Sequence, residues 1–266
     1  FYTGDFNSNP DRHLGSASIP LFLRPDVVIS ESTYATAVFN SSRQRELDFA
    51  KQVDQSLKAG GKVLIPVFAV GRAQELCIIL QEYFKRTQQN VDMYFGSGVS
   101  ETATAYYRLF LSWCHNHLSE SETNPFDFKS IKTFSTDMLK DPAYRSKSYI
   151  LFAAPGFLNG GLSLQAFKEW APDSRNLLVL PGWCVPGTIG NKVQSGQKKV
   201  EVHPKQFVQV KMRIHKLQFN AHADSRGICS LIAGIEPENV VLVHGEKPKM
   251  EKLAAQLRTK FRIRVE

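Results

Sequence analysis

Four ionisable side chains follow apolar runs in this chain. Asp5 closes Phe1-Tyr2-Thr3-Gly4, and Glu31 closes Val27-Val28-Ile29-Ser30. His222 stands in Phe219-Asn220-Ala221-His222-Ala223-Asp224, and His244 closes Val240-Val241-Leu242-Val243. Carboxylates and imidazoles are donors that zinc takes, and strand ends are where α/β folds place chemistry. His244, followed by Gly245, is the best single metal-ligand candidate, because a strand end holds an imidazole rigidly. Asp5 could bridge two cations roughly 3.5–4 Å apart. Glu31 could pair with His222; a carboxylate beside an imidazole raises its pKa and keeps it protonated for a leaving group. Plainer readings stand beside these: an Asx-turn for Asp5 and a polar strand terminus for His244, while Glu31 taken alone is a weak signal; His222 could equally be a metal ligand, and Asp224 could orient it or cap the following helix.

Further residues carry weaker signals. Phe68-Ala69-Val70-Gly71-Arg72 reads as strand, tight turn and helix start, so Arg72 is a candidate contact for an RNA phosphate or a surface arginine. The loops Pro155-Gly156-Phe157 and Pro181-Gly182-Trp183-Cys184 follow strands of the same kind and should reach the same sheet edge. Their aromatics could stack a base or pack the core. Gly96-Ser97-Gly98 lacks a third glycine and reads as a turn before a capped helix. His115 and His117 fall on a predicted helix, where i and i+2 point about 200° apart and cannot share a metal. His13, His203 and His215 carry no pattern. No HxHxDH motif occurs in the sequence.

The elements that must hold these residues alternate. Strands are expected at 27–30, 62–68, 91–95, 149–153, 176–180 and 240–243. Helices are expected at 43–59, 71–84, 100–117 and 162–170, after Asp224, and from Pro248. Residues 198–202 and 206–216 alternate like antiparallel strands. The β-α-β order predicts an α/β fold with a largely parallel sheet flanked by helices. Residues 1–34 and 215–266 read as one domain, interrupted by a second at 35–214.

With 42% hydrophobic residues in 266, the chain can bury one large core or two modest ones. No apolar run approaches the roughly 18 residues of a membrane span. The net charge of +8 favours a polyanionic partner, though solubility alone also accounts for it. Cys77, Cys114, Cys184 and Cys229 form no CxxC pair, which argues against a zinc ribbon and for a reducing compartment. The chain opens with Phe1 inside a strand-like run, and a trimmed fragment is expected.

Taken together, Tyr2-Thr3-Gly4-Asp5-Phe6, Asp11-Arg12-His13-Leu14-Gly15, Glu31-Ser32-Thr33-Tyr34-Ala35, residues 61–76, His222-Ala223-Asp224 and Val243-His244-Gly245-Glu246 resemble the metallo-β-lactamase/β-CASP nucleases over essentially the whole chain. Residues 182–196 and 124–129 resemble the branch serving the Integrator and polyadenylation machineries. The resemblance implies the C-terminal part of a metallo-β-lactamase αββα domain interrupted by a β-CASP domain. It implies zinc, two ions in the complete protein, with Asp5 bridging both and His244 the terminal ligand of one. It implies that His222 protonates the leaving 3′ oxygen, with Glu31 as its acidic partner. Its partners would be RNA, a paralogous β-CASP subunit and further subunits of a 3′-end-processing complex, with no membrane. The location would be the nucleus, alone or with the cytoplasm. The family's HxHxDH and a further ligand histidine precede the position of Asp5, so this chain by itself is expected to be inactive. A non-catalytic scaffold subunit is the alternative, and a small-molecule metallo-hydrolase a third reading.

Overall fold

A computed structural model describes the chain except for residues 69, 116, 117, 119–122, 129, 130, 218, 220 and 221 and the side chains of 99–101. The described residues divide into two compact units, Phe1–Ser42 with Asn220–Glu266, and Arg43–Phe219.

The first unit is built on three strands, β1 (Val27–Glu31), β10 (Asn239–Val243) and β11 (Arg264–Val265), all paired in parallel in the order β1-β10-β11. Tyr2 extends the sheet by a parallel bridge to Ile29. The period-2 alternation of β1 sends Val28 inward and leaves Val27 and Ile29 exposed. Helices α7 (Ser225–Ile235) and α8 (Lys247–Phe261) cover the inward face. Ile228, Leu231 and Ile232 of the first, with Leu253 and Leu257 of the second, join Val28, Val240 and Leu242 in one core. These are the 3.6-period apolar stripes that the sequence shows.

The second unit holds a six-stranded sheet in the order β4-β3-β5-β2-β6-β9, with every pairing parallel. Its strands are β2 (Val63–Pro66), β3 (Met93–Gly96), β4 (Ile131–Phe134), β5 (Ile150–Ala153), β6 (Leu177–Leu180) and β9 (Arg213–Lys216). The central strands are buried throughout, as a parallel sheet covered on both faces requires. Val63, Ile65 and Phe152 face α1 (Ser42–Lys58) and α2 (Arg72–Arg86). Leu64, Leu151 and Leu178 face α5 (Gly161–Trp170), α6 (Ile189–Gln194) and a hairpin of β7 (Lys199–His203) and β8 (Gln206–Gln209). The short helices α3 (Val99–Leu109) and α4 (Pro142–Arg145) complete the unit. Cys77, Cys184 and Cys229 are buried free thiols and Cys114 is half-buried. Among the described residues no helix is long and apolar enough to cross a membrane.

Three elements differ from expectation. The alternating run 206–216 is two strands. The backbone N–H groups of Lys211 and Met212 donate to Ala171 O, which ends the hairpin and sends Arg213–Lys216 to the sheet edge, parallel to β6. The helix predicted to reach 117 stops at Leu109, where a 3₁₀ turn, Leu111–Trp113, brings Leu111 onto the core. His115 is not helical, and Asn116 and His117 lie outside the described residues. β4 carries Lys132 and Thr133 on an edge, too polar to be read as a strand beforehand.

Candidate functional site

The parallel register of β1 and β10 sets Glu31 against Val243, so His244 emerges beside Glu31. His244 takes a left-handed φ of 53°. Gly245 follows it because a Cβ there would stand 2.6 Å from both Ser32 O and Ser32 Oγ. Ser32 Oγ in turn donates to Val243 O at 2.6 Å, tying the two strand ends together. The bridge from Tyr2 to Ile29 carries Asp5 past the end of β1. Phe6 N–H donates to Glu31 Oε1 at 2.9 Å, and Ala223 N–H donates to Phe6 O at 2.7 Å. A parallel bridge from Tyr34 to Asp224 completes the alignment and brings His222 over β1.

Asp5, Glu31, His222 and His244 therefore converge, with one donor atom from each lying within 4.8 Å of all the others. His222 Nδ1 is 2.8 Å from Glu31 Oε2, and His244 Nδ1 is 3.1 Å from Asp5 Oδ1. Asp5 Oδ1 also lies 4.0 Å from His222 Nδ1. An ionised carboxylate can only accept, so the 2.8 Å contact with Glu31 turns the Nδ1–H of His222 toward that acid and leaves its Nε2 for other work, while His244 Nδ1 and Asp5 Oδ1 simply stand close together.

The two carboxylates differ in kind. Glu31 is buried, 1% exposed, and both of its oxygens are engaged. Burial pushes its carboxyl up, but hydrogen bonds from His222, Phe6 N–H and Thr33 outweigh that and hold it below the ordinary value. The hydrogen bond to Glu31 pushes His222 up against the effect of its partial burial, with the charges of Glu31 and Asp5 adding to it. A carboxylate with no spare oxygen serves as an orienter, whereas Asp5, 59% exposed, has the access a metal ligand needs. His222, 23% exposed, is an imidazole whose protonated form Glu31 favours and whose edge is open to solvent, which is what a general acid needs.

Asp224 is not part of this group. Its Oδ1 accepts from Gly227 N–H at 2.9 Å as the cap of α7, and its Oδ2 accepts from Phe39 N–H at 3.0 Å. The Asx-turn lies at Asn7, whose Oδ1 accepts from Asn9 N–H. Arg72, the first residue of α2, belongs to the other unit. Its guanidinium pairs with the buried Glu75 and lies 5.6 Å over the Phe219 ring.

Thr33 is the residue that sequence reasoning missed. Its hydroxyl donates to Glu31 Oε2 at 2.8 Å and lies 3.1 Å from His244 Nδ1 and 3.4 Å from His222 Nδ1. The signal was present in Glu31-Ser32-Thr33, but hydroxyls after a strand read equally as turn formers.

A family model for the Beta-Casp domain matches residues 73–193, and one described as a Zn-dependent metallo-hydrolase RNA specificity domain matches residues 208–266. Integrator complex subunit 11 of Gallus gallus is 46% identical over 264 residues, covering 98% of this chain and 43% of the relative. Cleavage and polyadenylation specificity factor subunit 3-II of Arabidopsis thaliana is 44% identical over 263 residues, covering 96% of this chain and 42% of the relative. Endoribonuclease YSH1 of Mycosarcoma maydis is 34% identical over 269 residues, covering 99% and 30% respectively. The chain thus spans less than half the length of each of these relatives. Matched in sequence order by both domain models, and by these relatives over nearly all of its own length, the chain belongs to the metallo-β-lactamase/β-CASP family.

Proposed function

We propose that this chain supplies part of the site of a zinc-dependent RNA endonuclease that hydrolyses phosphodiesters in nuclear RNA 3′-end processing and leaves a 3′ hydroxyl and a 5′ phosphate. One observation carries the reading: a Glu31-held His222 stands beside an Asp5–His244 contact at adjacent strand ends. The names of the relatives, subunits of Integrator and of a cleavage and polyadenylation factor and an endoribonuclease, support the substrate class and the process.

The donor set fits zinc, since imidazole and carboxylate converge within one ion's reach. Asp5 and His244 would hold the metal, since Asp5 Oδ1 and His244 Nδ1 stand 3.1 Å apart, near enough to meet one ion. When bound, zinc supplies Lewis-acid polarisation of a phosphate oxygen and activation of the attacking water. His222 gives its proton to the 3′ oxygen as the P–O3′ bond breaks, and Glu31 keeps that proton in place until then. Two ions need more donors than Asp5 and His244 supply, so the complete protein carries the activity and this chain alone is inactive. Arg72, at a helix start, is the candidate RNA-phosphate contact in the β-CASP part. The partners are RNA, a paralogous β-CASP subunit and other subunits of the processing complex.

His222→Ala in the complete protein tests the reading. RNA cleavage should fall at least about 100-fold, the lower end of the usual range for a general acid. RNA affinity and zinc content should stay at wild-type values. Cleavage at an undiminished rate would remove the acid role from His222.

A further inference from the structure

The loops leaving β2, β5 and β6 enclose a cavity of about 140 Å³ within the second unit. Phe68, Phe157, Trp183, Phe219, Arg72 and Cys184 contribute to its lining. Phe157 meets Phe68 edge-on, with ring centres 5.1 Å apart. Gly156 makes room for this contact, since a Cβ there would stand 3.3 Å from the Phe68 ring. Phe219, Cys184 and Phe157 also pack in the cores, but core packing does not account for Phe68 and Trp183, which are 55% and 62% exposed. The location is also telling. The helix after β2 packs on one face of the sheet and the helix after β5 on the other. The crevice at the carboxyl ends of such strands is where open α/β sheets take ligands.

We propose that this cavity is a subsite for one unpaired pyrimidine base of an RNA strand, stacked against Trp183 and Phe68. The proposal rests on the RNA reading above and names the part of the substrate that this unit would hold. Size sets the choice, because a cavity of roughly 150 Å³ accepts benzene and therefore one six-membered ring. Chemistry agrees, since aromatic walls take any π-face and the chain's net charge of +8 favours a polyanionic strand. The charge of Arg72 is shared with Glu75, so stacking rather than a local ion pair supplies the selectivity.

The test is a low-salt anisotropy titration of the 266-residue chain with two labelled 12-mers, oligouridylate and an abasic strand with the same ribose-phosphate backbone. The wild type should bind oligouridylate about tenfold more tightly than the abasic strand. Trp183→Ala and Phe68→Ala, both at exposed positions, should each remove most of that difference and leave the abasic affinity unchanged. Equal wild-type affinity for the two strands overturns the subsite, as does unchanged oligouridylate affinity in both variants. An equal loss on oligoadenylate overturns the single-ring limit. Salt-dependent binding without base preference would sink the subsite alone and leave the nuclease reading standing, which fails separately if His222→Ala cleaves normally.

Discussion

At the scale of residues, Thr33 links the two acid–imidazole pairs. Its hydroxyl is the one side-chain group described as reaching Glu31, His222 and His244 together. Thr33→Val keeps the shape and removes the hydroxyl. Groups that orient ligands and acids in this way are typically worth 10- to 100-fold, so cleavage by the complete protein should fall by roughly that factor. Circular dichroism melting should show a nearly unchanged fold. A full cleavage rate would make the hydroxyl a bystander. Which side chains would meet was legible where a side-chain type is rare at a strand end, as for His244 and Glu31. It was not legible for Thr33 or Asp224, because hydroxyls and carboxylates at strand ends serve turns and caps as readily as sites. Only the hydrogen bonds to Gly227 N–H and Phe39 N–H assign Asp224 to the cap.

At the scale of elements, the site depends on how closely two strand ends approach. Gly245 passes Ser32 at a distance that leaves no room for a methyl group. Gly245→Ala should cost about 1–3 kcal/mol of stability, the usual price of overpacking, read from the midpoint of a urea titration. Because the same contact sets His244 beside Thr33 and Asp5, zinc affinity in the complete protein should fall with it. Stability and affinity both at wild-type levels would show that the backbone shifts freely. Helices and buried strands were readable because their periods of 3.6 and 2 are properties of one segment. The strand at Arg213–Lys216 was not, since alternation reveals a strand but not its partner. Its pairing is decided by Ala171, more than forty residues earlier, which takes the N–H groups of Lys211 and Met212. The overextended helix before His115 failed for a similar reason, because an apolar pattern continues across the tighter turn at Leu111–Trp113.

At the scale of the molecule, the ligand count sets the expectation. Asp5 and His244 are two donors, so equilibrium dialysis of the 266-residue chain against zinc should show at most weak binding. Two ions retained tightly per chain would overturn the ligand assignment. The first unit is made from Phe1–Ser42 and Asn220–Glu266, with the whole second unit between them in sequence. His222 lies 191 residues from Glu31, and Thr33 lies 211 from His244. A ribosome adding about 5–20 residues per second releases β1 roughly 10–40 s before β10 exists to pair with it. Through that interval Glu31 has no imidazole and Val28 no covering helix. The parallel second unit, whose contacts are nearer in sequence, has time to fold first. The Asp5–Glu31–His222–His244 cluster is therefore assembled late in the synthesis of this chain, and β1 waits without β10 as an apolar strand that a chaperone has reason to hold.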